Sequence, residues 1–225
     1  MKKIILLSEK SWHLKIFNEL RLENNNYNWV HIDNIHHFKL EKIKKISPEY
    51  IMIPHWSYII PQEIYNNFTC IVFHMTDLPF GRGGSPLQNL IVRGYKKTKI
   101  SALKVTQGID SGPIYIKKPL SLEGTASEIM LRASEIIKKM ISTIILKKIK
   151  PEEQTGNIVK FKRRRPQDSD ISQLKTLNKI HDYIRMLDCD GYPSAFFENE
   201  YFKFEFSKSR LIEDKIEAHV RILKK

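Results

Sequence analysis

Apolar runs of strand length alternate with segments of helical period along the first third of the chain, and this alternation limits the fold more than any other feature. Lys2 to Ser8, Tyr27 to Ile32, Tyr50 to Pro54 and Thr69 to Phe73 are short and rich in β-branched or aromatic residues, as buried strands are. Between them, Trp12 to Leu22, Glu41 to Ile46 and Pro61 to Tyr65 read as helices, the last with Pro61 near its first position. Strands buried on both faces and joined by helices form a parallel sheet with helices on either side. The predicted class is α/β, a Rossmann-like, mostly parallel sheet.

Phe80-Gly81-Arg82-Gly83-Gly84 is predicted to be a loop, because three glycines interrupt regular structure. Ser85-Pro86 then reads as an N-cap with proline at the first helical position, and Gly94 closes that helix. Lys99 to Val105 and Pro113 to Lys118, joined by the turn Gly108 to Gly112, suggest a hairpin at the sheet edge. Thr125 to Lys150 is the clearest helix. Thr125 and Glu128 make a capping box, and Ile129, Ala133, Ile136, Ile137, Met140, Ile141, Ile144 and Ile145 form one apolar face. Pro151 to Gly156 reads as a polar linker. Beyond it, Val159 to Arg163, a helix from Gln173 to Met186, and strands Ala195 to Phe197 and Tyr201 to Phe206 predict a small α+β appendage. Residues 1–152 are expected to form the main domain and 153–225 a second, smaller one.

The formal net charge is +13. It fits attraction to an anionic partner or a drift of composition towards Lys, Ile and Asn, and both readings stay open. Nucleic acid is not expected as a partner, since no aromatic-basic module of a known kind is present. Cys70 and Cys189 are far apart and read as small apolar residues rather than a disulfide. No residues have metal-ligand spacing, so no metal is expected. The opening Ile4-Ile5-Leu6-Leu7 is too short for a signal peptide, and no stretch is long enough for a membrane span. The expectation is a cytoplasmic protein without membrane contact.

Two segments carry chemistry. In His74-Met75-Thr76-Asp77-Leu78-Pro79-Phe80-Gly81-Arg82-Gly83-Gly84-Ser85-Pro86, a buried strand ends at a histidine and a glycine-rich loop follows. In open α/β sheets ligands sit outside the carboxyl ends of strands, and glycines let a ligand approach the backbone. In Gln107-Gly108-Ile109-Asp110-Ser111-Gly112-Pro113 an aspartate sits on a tight turn between glycines. Taken singly, His74 reads sooner as a strand-end histidine and Asp110 as a turn former.

Together, His-x-Thr-x-Leu-Pro-x-x-Arg-Gly-x-x-Pro followed by Ile-Asp-x-Gly-Pro resembles the formyltransferase family, over residues 50 to 150 above all. The resemblance implies the formyltransferase fold, 10-formyltetrahydrofolate as co-substrate, and His74 and Asp110 as the catalytic pair. Within it, Ile59, Ile60 and Leu78 would wall the pterin, and Val105, Thr106, Gln107, Gly108 and Ile109 would offer it backbone groups. Trp56, Thr76, Phe80, Gly81, Arg82, Gly83, Gly84 and Arg165 would line the acceptor.

Phe161-Lys162-Arg163-Arg164-Arg165-Pro166-x-Asp168-Ser169 and Pro193-Ser194-Ala195-Phe196 resemble the sugar N-formyltransferase branch. That branch implies a nucleotide-linked amino sugar as acceptor, in surface glycan synthesis, and leaves a homodimer open. The chain looks too short for the full C-terminal domain of the tRNA enzyme. Alternatives are a non-catalytic folate- or nucleotide-sugar-binding relative, or a formyltransferase for another amine such as methionyl-tRNA. One departure matters: the family places Asn two residues before the histidine, where this chain has Val72. His55, on the neighbouring segment, is the replacement expected to hold the formyl oxygen, with Ser57 as its rival.

Overall fold

A computed structural model describes residues 1–225. The chain divides into two compact units: Met1–Arg82, Lys99–Leu120 and Leu131–Lys160 in the first, and Gly83–Thr98, Ser121–Met130 and Phe161–Lys225 in the second.

The first unit is built on a six-stranded sheet. Its strands are β1 (Lys2–Ser8), β2 (Tyr27–Ile32), β3 (Tyr50–His55), β4 (Cys70–His74), β6 (Lys97–Lys104) and β7 (Ile114–Ser121), in the order β2-β1-β3-β4-β6-β7. The pairs β1–β2, β1–β3 and β3–β4 are parallel and β4–β6 is antiparallel, so the sheet is mostly parallel, as predicted. The hairpin strand β7 does lie at the edge.

One face of this sheet carries a core of Ile5, Leu7, Ile51, Ile53 and Cys70, closed by Ile43 of α2 (Leu40–Ile46) and Ile64 of α3 (Gln62–Tyr65). Lys138 of α5 (Ala126–Lys147) lies 2.6 Å from Glu19 of α1 (His13–Glu23), and the Asn24 side chain that ends α1 donates to Ser142. The predicted apolar stripe of α5 is buried from Ile129 to Ile145, with Ile136 half-buried. Thr125 and Glu128 exchange the two bonds of the expected capping box.

Pro54 leaves its mark on β3. Proline has no N–H to give a ladder. The register against β1 slips there: Leu6 lies beside Met52, but Ser8 lies beside His55. The slip reverses the alternation. Ile53 faces the α2–α3 core, His55 turns to Ser8, and Trp56 packs back against that core.

Several expectations are corrected. Residues 80–83 are strand β5 (Phe80–Gly83), paired with β8 (Val159–Phe161), rather than a loop. Gly83 makes this possible: a Cβ there would sit 2.4 Å from the Phe161 carbonyl oxygen. Ser85 precedes α4 (Pro86–Val92) but does not cap it; its hydroxyl accepts from the Arg164 N–H instead. The polar stretch after α5 is no free linker, because Glu152 exchanges backbone bonds of 2.7 and 2.9 Å with Ile114.

The second unit holds the antiparallel sheet β11-β10-β9, with β9 (Ala195–Glu198), β10 (Phe202–Ile212) and β11 (Lys215–Lys224). Helix α6 (Leu177–Arg185) starts later than predicted because the Thr176 hydroxyl caps it, accepting from the Lys179 N–H. Strand β11 was not foreseen in the pattern. The buried Arg185 guanidinium anchors α6: it donates to the Leu122 and Gly124 carbonyls and pairs with Asp182 at 2.7 Å.

Candidate active site

His74 ends β4, and its imidazole is held at both nitrogens. Nε2 lies 2.8 Å from the Gly81 carbonyl oxygen, which can only accept, so this nitrogen carries a proton. Nδ1 lies 3.5 Å from Asp110 Oδ2. Both side chains are largely enclosed, at 9 % and 14 % exposure.

The two residues meet because a loop doubles back. Strand β6 runs against β4, so Val105 emerges beside Cys70, and its N–H donates to the Cys70 carbonyl at 2.8 Å. That is the far end of β4 from His74. The loop to β7 must return along the sheet to bring Asp110 to the imidazole. Asp110 takes a left-handed backbone (φ 51°), which aspartate tolerates better than most residues. Gly112 closes the turn where no side chain fits, since a Cβ would lie 1.9 Å from the Lys104 carbonyl oxygen.

Gln154 locks this loop and was missed in the sequence, where it lies in the apparent linker. Its Nε2 donates to the Asp110 and Gly112 carbonyls at 2.9 and 2.7 Å. Its Oε1 accepts from Arg82 Nε and Nη2 at 3.1 and 2.7 Å. Arg82, expected to meet the acceptor, thus braces the loop that carries Asp110.

The segment after His74 is equally braced. Thr76 is fully buried; its hydroxyl points to the Gly81 carbonyl, and its own carbonyl accepts from Ser101. Leu78 has no exposed surface, and its N–H donates to Ser101 Oγ. Asp77 sits between Lys117 (2.6 Å) and Lys99 (2.9 Å). Burial pulls its carboxyl up, but the two lysines outweigh this and hold it below the usual carboxylate range.

The remaining candidates divide. Ile59 and Ile109 stand out at 76 % and 62 % exposure, whereas Ile60 is buried in the core. Gln107 accepts from the Ser111 hydroxyl through its carbonyl, and Gly108 has φ 96°, both within the same loop as Thr106. Phe80 is half-buried on β5. Val72, in the place of the family asparagine, packs into the apolar core with Trp56 and Val105. His55 lies beside Ser8, whose hydroxyl is 2.6 Å from His13 Nδ1, so the structure turns it towards α1. Ser57 bonds Glu9. Gly83, Gly84 and Arg165 belong to the second unit. There Gly84 is packed so closely on Arg163 that a Cβ would lie 2.6 Å from the Arg163 Cβ, and Arg165 is exposed, 4.0 Å from Asp168.

Residues 5–145 match a family model described as formyl transferase. The chain belongs to the formyl transferase family. Residues 166–223 match a second model, the methionyl-tRNA formyltransferase C-terminal domain. A solved structure described as methionyl-tRNA formyltransferase from Clostridium thermocellum is 52% identical, covers 100% of both chains and superposes with a TM-score of 0.98. Methionyl-tRNA formyltransferase of Campylobacter lari is 28% identical over 201 residues, 88% of this chain and 61% of the relative. That of Thermodesulfovibrio yellowstonii is 27% identical over 154 residues, 65% of this chain and 50% of the relative. The chain thus spans half to three-fifths of the length of these curated formyl transferases. A 4-N formyltransferase from Francisella tularensis, at 17% identity and a TM-score of 0.69 over 88% of this chain and 93% of that one, shares the fold alone.

These relatives bear out the fold and the family and overturn the predicted branch. A nucleotide-linked amino sugar as acceptor, and the exclusion of nucleic acid, both give way to the methionyl-tRNA formyltransferases. Residues 166–223 nonetheless match a C-terminal domain model of the tRNA enzyme, although the chain is shorter than the curated relatives. The arginine motif misled because it serves the local fold. Arg164 donates its N–H to Ser85, bonds the Asp168 carbonyl and lies over the Tyr183 ring at 5.1 Å, while Asp168 accepts the Arg165 N–H at 2.7 Å.

Proposed function

We propose that this chain transfers a formyl group from 10-formyltetrahydrofolate to the α-amine of methionyl-tRNA. The enclosed His74–Asp110 pair, in a member of the formyl transferase family, is the observation that carries the chemistry. The 52% identity over the full chain to the Clostridium thermocellum methionyl-tRNA formyltransferase supports the acceptor.

The residues present fit a folate co-substrate. A flat pterin needs apolar surface and backbone hydrogen bonds, and exposed Ile59 and Ile109 with the backbone of Val105 to Ile109 supply those types of group. Folate supplies an activated formyl group. Attack by the amine forms a C–N bond and moves the carbonyl electron pair onto oxygen. Collapse restores C=O and breaks the bond to N10, which gains a proton as the amine loses one.

His74 and Asp110 serve that sequence by position. Asp110 faces the ring at Nδ1 and offers a carboxylate for receiving the amine proton. His74, with Nε2–H bonded to the Gly81 carbonyl and Nδ1 facing Asp110, orders the end of β4 and keeps that carboxylate aimed at the reacting groups. Aminoacylated tRNA makes the cytoplasm the place of reaction in this reading, and no helix is long and apolar enough to cross a membrane.

The test is formyl transfer by the full chain with 10-formyltetrahydrofolate and charged initiator tRNA, read as formylmethionyl-tRNA. His74→Asn and Asp110→Asn are each expected to lower turnover ~100-fold or more. No product with wild-type protein that binds folate would sink the acceptor assignment, and wild-type turnover in either variant would remove that residue from the chemistry.

A further inference from the structure

Three tryptophans are present, and the indole N–H of Trp56 stands apart. Trp29 Nε1 donates to the Asn24 carbonyl at 3.2 Å, as a buried indole normally does. Trp56 Nε1 is buried and has no acceptor. An unmatched buried donor is costly in a fold, and a catalytic role is one of the reasons such a group is kept.

The position of this N–H is set by the slip at Pro54. Because the alternation reverses there, Trp56 packs on the core face that also holds Val72. His74 follows Val72 by two residues on β4, so it shares that face by strand alternation. The indole is held by an edge contact with Phe38 (5.9 Å) and a tilted contact with Tyr58 (5.4 Å). Tyr58 is itself half exposed, so the indole lies beside a surface residue as well as the core.

The imidazole leaves the place of a donor to the formyl oxygen open. His74 Nε2–H is committed to Gly81 and Nδ1 faces Asp110, while Val72 offers only hydrocarbon. We propose that Trp56 Nε1–H donates to the formyl oxygen and stabilises the negative charge it gains when the amine attacks. The proposal rests on the formyl-transfer reading above. No proton leaves the indole: it donates one hydrogen bond, which shortens as charge develops and relaxes when C=O is restored.

The experiment uses the full chain, with 10-formyl-5,8-dideazafolate as a stable formyl-bearing probe and 5,8-dideazafolate as its formyl-free partner. In a ¹⁵N-indole spectrum, with the Trp56 signal assigned by its loss in Trp56→Phe, the formyl-bearing probe is expected to move that N–H signal downfield and the formyl-free probe to leave it in place. Trp56→Phe keeps the ring and removes only the donor; it is expected to lower kcat ~100-fold with the folate KM within about threefold. Equal shifts with both probes, or a variant with wild-type kcat, overturn the proposal. Failure of wild-type protein to bind either probe, measured by calorimetry, strikes the formyl-transfer reading itself, which separates the two failures. Should Trp56→Phe fail to fold, the wild-type spectrum still decides, with the signal assigned by sequential resonance assignment.

Discussion

His13 shows how far a single side chain can be driven by its surroundings. It is 3 % exposed at the start of α1, with Nδ1 2.6 Å from Ser8 Oγ. Burial lowers its pKa most, with His55, His31 and Lys10 adding repulsion, to about 3. The folded value lies below the ordinary 6.5, so the unfolded chain takes up this proton first. The stability it contributes is complete above pH 6.5 and is lost progressively as pH falls towards 3. Over that window unfolding should become easier by about 1.4 kcal/mol per pH unit from this group. Urea midpoints measured from pH 7 to 4 should fall in wild type and fall less in His13→Gln; parallel slopes would show that His13 is not the group responsible. The residue was not singled out in the sequence, because nothing in the pattern around Trp12 and His13 signals that a serine from another element will lie against it.

At the scale of elements, the parts legible in the sequence are those whose burial repeats with the element's own period. Strands β1 to β4 and the stripe of α5 have that property and were placed to within a few residues. Strand β11 lacks it: Val220, Ile222 and Leu223 are all substantially exposed, so no buried face writes an alternation. Strand β5 was hidden by glycines that serve close packing on β8 rather than a loop. His74 and Asp110 were visible because both lie in motifs with unusual glycine spacing, whereas Gln154 lies in a polar stretch with no local signal. Gln154 joins Arg82 to the loop that carries Asp110, and its two ends can be separated. Gln154→Glu keeps an acceptor for Arg82 but replaces the donor to the Asp110 and Gly112 carbonyls with an oxygen that repels them. Displacing Asp110 by a fraction of an ångström should lower kcat by roughly 10–100-fold with little change in KM. Steady-state kinetics at wild-type kcat would show that the loop is held without this brace.

At the scale of the whole molecule, the proposed acceptor would give the charge of +13 a role that sequence composition left open. A polyanionic acceptor offers phosphates to a surface rich in Lys and Arg, and each phosphate neutralised releases counterions, so binding weakens steeply with salt. Folate is small and meets the protein mainly through the loops around His74 in the proposed reaction, so its binding has fewer charges to lose. The two substrates should therefore separate in a salt series. Between 50 and 200 mM KCl the KM for methionyl-tRNA is expected to rise roughly tenfold or more, with the folate KM and kcat changing by less than about threefold. Neutralising exposed arginines such as Arg165, at 78 % side-chain exposure, should flatten the tRNA series and leave the folate series unchanged. A tRNA KM insensitive to salt would mean that the basic surface takes no part in acceptor binding, and that the excess of lysine reflects composition alone.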